Sequence, residues 1–315
     1  MSAEDLKRAV AHLKGGHVVA MPTETVYGLA GDIDSEAGLK RIFAVKERPF
    51  FDPLIVHVDT VEKARALALE WTPVHDALVA HCWPGPLTLV VPKHDSVNSL
   101  ITAGLSEVGL RCPRHPLALE LLRSFRGLAA PSANKFGKTS PTTAEHVRSE
   151  FGDTVMVLDG GPCEVGIEST VAALVREEGR RKLVVYRPGF YTAAVLHDVL
   201  EDAGFPTETT YAESPVAPGQ LEHHYMPPIP VITALPGDVT AIPRAEKALK
   251  RALPRVAKLA LGDDPQLAAR MFYEQLRALS TGHDAILVEV APAKGKSEDW
   301  RALMNRLQKA ASFKG

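Results

Sequence analysis

Three arginines sit beside apolar runs, and their chemistry sets the first question. Arg48 lies in Lys46-Glu47-Arg48-Pro49 at the end of a helical pattern, Arg111 ends Val108-Gly109-Leu110, and Arg187 ends Leu183-Val184-Val185-Tyr186. A guanidinium is a planar fork that grips phosphate or carboxylate, and one surrounded by apolar residues, as Arg111 is, normally has an anionic partner. That partner is either a ligand or an internal ion pair. Hydroxyls accompany these cations. The stretch Ala129 to Val147 carries Ser132, Asn134, Lys138 and Ser140 between a short apolar run and a helical pattern opening at Thr142-Thr143-Ala144-Glu145. The latter reads as a capping box. Unpaired backbone N–H groups and the positive end of a helix dipole suit a phosphate there, although the same residues could simply shape a turn and cap a helix. Thr23 and Thr25 lie two apart in Pro22-Thr23-Glu24-Thr25-Val26-Tyr27-Gly28, so in extended chain their hydroxyls share a face. Lys46 adds a point charge beside Arg48. His57, inside Leu54-Ile55-Val56-His57-Val58, reads as a half-buried strand histidine. The set suggests a cleft for a polyanion plus a carboxylate, with chemistry resting on positioning and charge stabilisation. No Walker or G-x-G-x-x-G signature occurs, no triad has plausible spacing, and no metal pattern goes beyond His223-His224.

The elements that must position these residues alternate between helix and strand. Ser2 is expected to cap a helix over Ala3 to Lys14, ended by Gly15-Gly16, and a strand His17 to Met21 delivers the threonines. Ser35 caps a helix running to about Val45. Helices are expected over Val61 to Leu69 and Val74 to Ala80, then a stiff corner at Trp83-Pro84-Gly85-Pro86 and a strand Leu87 to Val91. Further strands are expected at Val108 to Pro113, Val155 to Leu158 and Leu183 to Tyr186, and polar residues in Gly166-Ile167-Glu168-Ser169-Thr170-Val171 enter another. From Phe205 to Pro230 the pattern dissolves into prolines, which reads as an inter-domain linker. Its Pro218-Gly219-Gln220-Leu221-Glu222-His223-His224-Tyr225-Met226-Pro227 segment is either plain linker or a lid over a ligand. Beyond it, Val256 to Leu261, a helix Pro265 to Leu279, Asp284 to Val290 and a helix Glu298 to Ala311 predict a small parallel sheet.

Bulk properties narrow the class. The 315 residues, 45% hydrophobic and 23% charged, are enough for two domains with cores of their own. With 36 Lys+Arg against 38 Asp+Glu the formal net charge is -2, so no global field favours nucleic acid or an anionic membrane. No apolar run approaches the roughly 20 residues that span a bilayer, and the acidic N-terminus is unlike an export signal, so a cytoplasmic protein is expected. Cys82, Cys112 and Cys163 are scattered, which points to buried thiols rather than disulfides or zinc.

Nine ordered motifs resemble those of the Sua5/YrdC family, specifically its longer two-domain Sua5 form. They are P-T-E-T-V-Y-G-L at Pro22, K-E-R-P at Lys46, P-L-I-V-H ending at His57, W-P-G-P-L-T at Trp83, V-G-L-R-C-P at Val108, A-P-S-A-N at Ala130 with S-P-T-T-A at Ser140, G-I-E-S-T-V at Gly166, R-P-G at Arg187 and P-G-Q-L-E-H-H-Y-M-P in the linker. The resemblance implies an α/β fold: a YrdC-like twisted mixed sheet with a large concave cavity over residues 1–205, a proline-rich linker crossing the active site over 206–230, and a smaller Rossmann-like parallel α/β domain over 231–315. It implies an L-threonylcarbamoyladenylate synthase, a nucleotidyltransferase making L-threonylcarbamoyl-AMP and pyrophosphate from L-threonine, bicarbonate or CO2, and ATP, for threonylcarbamoyl adenosine in tRNA.

By the same resemblance, Thr23, Thr25, His57, Arg111 and Ser169 or Thr170 would hold threonine or its carbamate. Arg48, Asp52, Ser132, Asn134, Ser140, Arg187, His224 and Tyr225 would meet ATP, and Lys46, Arg48 and Arg111 would carry the catalytic charge. ATP is the expected nucleotide substrate, with Mg²⁺ on its phosphates and no metal site built from side chains. A tRNA threonylcarbamoyl transferase is the expected transient partner, and no membrane is expected. Three positions depart from the family pattern. Asp52 stands where asparagine is frequent, Glu107 where threonine is common, and Met226 replaces an alanine. The competing reading is an RNA-binding protein without ATP turnover. A different carbamoyl transfer, as in hydrogenase-maturation proteins with a related domain, would call for zinc-finger-like cysteines, which this chain lacks.

Overall fold

The computed structural model describes residues 3–177, 179–212 and 224–314. Ser2 and the linker residues 213–223, His223 included, lie outside them. Among the described residues, ten strands form one mixed sheet: β1 (Val19–Met21), β2 (Gly28–Asp32), β3 (Ile55–His57), β4 (Leu87–Pro92), β5 (Glu107–Arg111), β6 (Leu128–Ala129), β7 (Met156–Val157), β8 (Thr170–Glu177), β9 (Arg180–Arg187) and β10 (Glu208–Tyr211). Their spatial order is β10-β9-β8-β4-β5-β3-β6-β2-β1-β7. Eight helices flank it: α1 (Ala3–Lys14), α2 (Glu36–Lys46), α3 (Val61–Leu67), α4 (Pro73–Cys82), α5 (Ser99–Thr102), α6 (Pro116–Leu122), α7 (Ala144–Phe151) and α8 (Ala193–Asp202).

Burial explains the order. The main core packs Leu39, Ile42 and Phe43 of α2 and Leu78 of α4 against Val56, Leu89 and Leu110 of the central strands. A second apolar layer, with Ala9 and Leu13 of α1 and Leu121 and Leu122 of α6, covers Val19 and Met21. Strands covered on both faces read as continuous apolar runs rather than alternating ones, which is why the short strands β1 and β3 stand out in the sequence. The helix ends follow side-chain caps: the Ser35 hydroxyl accepts from Gly38 N, and α2 stops at Glu47, whose φ of 53° turns the chain out toward Arg48. At α7 the cap is one residue later than expected. Thr143 takes the N-cap and accepts from His146 N, while Thr142 N donates to His146 Nδ1. Glu145 is exposed, so the ring of His146 does the work the capping box assigned to the carboxylate.

The proline-rich stretch is not wholly irregular, because Thr209 and Thr210 of β10 pair in parallel with Leu183 and Val184 of β9. Past it come β11 (Val231–Ala234), α9 (Ala241–Leu249), β12 (Val256–Leu259), α10 (Pro265–Leu279), β13 (Ala285–Glu289), α11 (Pro292–Lys296), α12 (Arg301–Ala310) and β14 (Ala311–Lys314). They form a four-stranded all-parallel sheet in the order β12-β13-β11-β14. This second unit shares a core with the first: Val26, Val165, Ile167 and Tyr225 join Phe272, Tyr273, Leu303 and Leu307 in one apolar cluster. The closeness is backbone-deep at Gly166, where φ is +78° and an added Cβ would lie 2.4 Å from the carbonyl oxygen of Arg270 on α10. No helix among the described residues is long and apolar enough to cross a membrane.

Candidate active site

The ends of β1, β3, β5 and β9, the loops before β2 and β8, the loop after β6 and the returning linker converge on one cavity. Thr23, Thr25, His57, Arg111 and Ser169 line it together with Arg48, Ser132, Arg187, His224 and Tyr225. Two in-register parallel strands set its first wall, since His57 of β3 stands beside Arg111 of β5. Arg111 is buried, its Nη2 donates to Glu24 Oε1 at 2.7 Å, and its Nε donates to Gly85 O at 3.3 Å in the Trp83–Pro86 corner. Glu24 Oε2 also accepts from Arg114 N at 3.0 Å. Of the two partners considered for Arg111, the internal one is therefore present, and the arginine nevertheless faces the cavity. Burial, and then the Arg111 guanidinium, holds the His57 imidazole down at about 3, so the ring is neutral near pH 7.

Thr23 and Thr25 share a hydrogen bond of 2.8 Å between hydroxyls, as their spacing suggested. The rest of Thr23 is spent on its own turn: Oγ1 donates to Val26 O and accepts from Thr25 N and Val26 N. Thr23 thus fixes the turn, and Thr25 presents its side chain from it. Ser169 and Thr170 separate cleanly. Ser169 Oγ lines the cavity within 2.8 Å of Thr88 Oγ1 and accepts from Arg187 Nη2 at 3.1 Å. Thr170 points the other way, where its hydroxyl donates to Tyr191 O and accepts from Tyr191 N.

On the opposite wall Arg48 is held by three contacts of its own loop. Its Nε donates to Asp52 O, its Nη2 to Pro53 O at 2.9 Å, and Nη2 lies 2.8 Å from the Asp52 carboxylate. Asp52 is therefore Arg48's counter-ion rather than part of the cavity lining. Burial raises its carboxyl and Arg48 lowers it again, with the raised direction prevailing. Lys46, expected to supply charge, is instead sealed under the loop after β6, where Nζ donates to Ser132 O and Asn134 O, each at 2.5 Å. Burial, and then Arg48, pulls its ammonium well below the usual lysine range. Asn134 likewise serves the loop, its Nδ2 donating to Lys135 O and Lys138 O. Ser140 donates to Glu168 Oε1 at 2.6 Å. These four side chains, with Thr170, stand outside the lining and act on the residues that form it.

Glu168, absent from the sequence-derived set, lines the cavity and is buried. Besides Ser140 it accepts from Tyr273 and Arg306 of the second unit, with Arg306 Nε at 3.0 Å. Burial alone would raise its carboxyl, but Arg306, Arg187 and the Ser140 hydroxyl outweigh that and hold it at about 2. Above the cavity, His224 packs edge-on to Phe136 and to Tyr225, and its backbone N–H donates to Lys309 O. Tyr225 sits at φ 64° with its ring buried and its hydroxyl without a partner among the described residues. Chemically, the site offers guanidinium groups for anions, a neutral imidazole and paired hydroxyls, all shielded from water.

Fold and site together define an α/β protein whose mixed sheet carries an arginine-lined cavity, two lining residues of which, Glu168 and Tyr225, are backed by a second, all-parallel α/β unit. Residues 11–189 match the model of the Sua5/YciO/YrdC family, described as "Telomere recombination", and residues 191–312 match "Threonylcarbamoyl-AMP synthase, C-terminal domain". The chain is 36% identical to the threonylcarbamoyl-AMP synthase of Pyrococcus abyssi over 98% of its own length and 94% of that protein's. It is 35% identical to the Bacillus subtilis threonylcarbamoyl-AMP synthase, over 97% and 92% respectively. The crystal structure of P. abyssi Sua5 complexed with L-threonine superposes with a TM-score of 0.84 at 34% identity, covering 98% of this chain and 96% of that one. The chain belongs to the Sua5-type, two-domain threonylcarbamoyl-AMP synthases, which are nucleotidyltransferases.

Proposed function

We propose that the cavity binds L-threonine and ATP side by side and joins them through bicarbonate, giving L-threonylcarbamoyl-AMP and pyrophosphate. The observation that carries this reading is that Arg48, Arg111 and Arg187 surround one buried cavity with Ser132 and Ser169 between them. Arg111 would take the threonine carboxylate through its fork, with Thr25, Ser169 and the neutral His57 around the amine and side chain. Arg48 and Arg187, with Ser132, would face the phosphates, and His224 and Tyr225 would cover the nucleotide. The threonine amine and bicarbonate give a carbamate and water. A carbamate oxygen then attacks the α-phosphorus, the bond to the β-phosphate oxygen breaks, and pyrophosphate leaves with that electron pair. Such a step needs in-line placement and neutralised charge more than a protein nucleophile.

Mg²⁺ would arrive on the phosphates and screen their charge. Among the described residues no group of three or more His, Cys, Asp and Glu could hold a metal ion, and the carboxylates of Asp52 and Glu168 are engaged by Arg48 and Arg306. The product would pass to a tRNA threonylcarbamoyl transferase. The linker, residues 206–230, would cross the cavity between a catalytic domain of residues 1–205 and a second domain of residues 231–315. The reaction would take place in the cytoplasm.

Pyrophosphate release from the full chain with ATP and Mg²⁺, omitting L-threonine or bicarbonate in turn, tests the proposal. Release that needs both, and that Arg48→Ala and Arg111→Ala abolish, is expected. Release with neither, or none at all, would overturn it and favour RNA binding without turnover.

A further inference from the structure

The cavity's Glu168 creates a problem that the second unit solves. A carboxylate in the wall of a site for a triphosphate repels it, and a buried carboxylate needs partners in any case. Of the three side chains that bond it among the described residues, Ser140 comes from the sheet unit, while Tyr273 of α10 and Arg306 of α12 come from the parallel unit. Arg306 is wholly buried and does more than pair. Its Nη2 donates to Glu168 O at 3.2 Å, its Nη1 donates to Pro188 O in the turn after Arg187, and its guanidinium lies 5.7 Å from the centroid of the Tyr225 ring. One arginine of the second unit therefore touches the Glu168 segment, the turn after Arg187 and the aromatic cover. The Tyr273 ring, centroid 5.7 Å from that of Tyr225, backs the same cover.

We infer that Arg306 is a positioning residue for the nucleotide: with Tyr273 it cancels the Glu168 carboxylate and seats Tyr225, so that the parallel α/β unit completes the ATP half of the site. The inference rests on ATP occupying the Arg48 and Arg187 side of the cavity. It assigns the second unit a role in the chemistry's binding step, because without Arg306 the phosphates would meet a carboxylate stripped of its nearest counter-charge. Threonine, placed against Arg111, has its own counter-charge arrangement through Glu24 and should be affected less.

The test is pyrophosphate release by the full chain, varying ATP and L-threonine separately, for the parent, Arg306→Met, Glu168→Gln and the double variant. Loss of one partner of a buried charge pair predicts that Arg306→Met raises the KM for ATP by about tenfold or more, with the KM for L-threonine changed by less than about threefold. Removing the stranded charge predicts that adding Glu168→Gln returns the KM for ATP to within about threefold of the parent. A merely structural tether would not be rescued by deleting its own partner. An unchanged KM for ATP in folded Arg306→Met, equal rises for both substrates, or a double variant as impaired as the single one would overturn the inference. Should Arg306→Met fail to fold, Tyr273→Phe removes one donor and keeps the ring. A rise of about threefold in the KM for ATP, reversed by Glu168→Gln, is then expected, and no rise would count against the inference. A parent without ATP- and threonine-dependent release would instead sink the underlying substrate assignment.

Discussion

Arg111 and Glu24 meet at 2.7 Å inside the protein, an arginine from β5 and a glutamate from the turn that also carries Thr23 and Thr25. The pair ties the threonine turn to the central strands and leaves the arginine on the cavity wall. Removing the glutamate charge while keeping its shape should therefore do two things. Glu24→Gln strands a buried guanidinium, and a loss of about 3 kcal/mol in unfolding free energy is expected in urea titrations. Added L-threonine should then raise the unfolding midpoint more in the variant than in the parent, because its carboxylate replaces the missing counter-charge. Equal midpoint shifts would mean that Arg111 does not receive that carboxylate.

His57 predicts an acid limb of stability. Its folded pKa is lowered from the ordinary 6.5 to about 3 by burial and then by Arg111, so the unfolded chain binds a proton that the native ring refuses. Its share of stability is complete above pH 6.5 and drains away as pH falls from 6.5 toward 3. Glu168, depressed from 4.5 to about 2, loses its share only below the interval from 6.5 to 5. Over that interval one such ring accounts for about 1.5 kcal/mol. Urea unfolding at the two pH values should show the drop shrinking by that amount in His57→Asn, while His12, His75, His146 and His224, also held low by burial, keep their own shares. An undiminished drop would place the His57 proton elsewhere.

These two residues also show where sequence reading stops. Arg111 announced itself by its apolar neighbours, and both possible partners could be named. Glu24 could not be chosen, because 87 residues separate the pair and only the crossing of β5 past the first turn joins them. Ser169 and Thr170 must face opposite ways in an extended segment, but which one faces the cavity is decided by the backbone of Tyr191, which claims the Thr170 hydroxyl. Glu168 stayed hidden for the same reason, its partner Arg306 being 138 residues away in another unit. The capped helices α2, α3, α7 and α10 and the strands β1, β3, β4 and β5 were legible, whereas the capped helices α6 and α8 and the strands β2 and β10 were not. The strands β11 and β14 were not: one emerges straight from prolines, and the other, Ala311-Ser312-Phe313-Lys314, follows α12 without a break.

Lys46 gives a third prediction. Its ammonium closes the loop after β6 by bonding the carbonyls of Ser132 and Asn134, so Lys46→Met leaves two buried acceptors unmet. A loss of about 2–4 kcal/mol in denaturant unfolding is expected, along with weaker ATP use as Ser132 drifts from the cavity. A lysine that touched substrate alone would show the kinetic loss with normal stability, and that result would return Lys46 to the catalytic set.

Tyr225 reverses the pattern, and here stability and function should part. Its ring is buried between Arg306, Tyr273 and His224 and the residue lines the cavity, yet its buried hydroxyl has no partner among the described residues. A buried hydroxyl without a hydrogen bond is a cost to the fold, so Tyr225→Phe should leave stability unchanged or raise it by up to about 1 kcal/mol. If the hydroxyl waits for the nucleotide, the same substitution should weaken ATP by about tenfold, the usual worth of one good hydrogen bond to a charged group. Urea unfolding and the KM for ATP, measured on one preparation, decide the matter. A variant that loses stability has its hydroxyl bonded within the protein, whereas one that keeps both stability and ATP affinity shows that the hydroxyl meets no ligand. The expected combination, an intact fold with a raised KM, would make Tyr225 a residue whose polar group is held ready for ATP by the apolar contacts of the second unit.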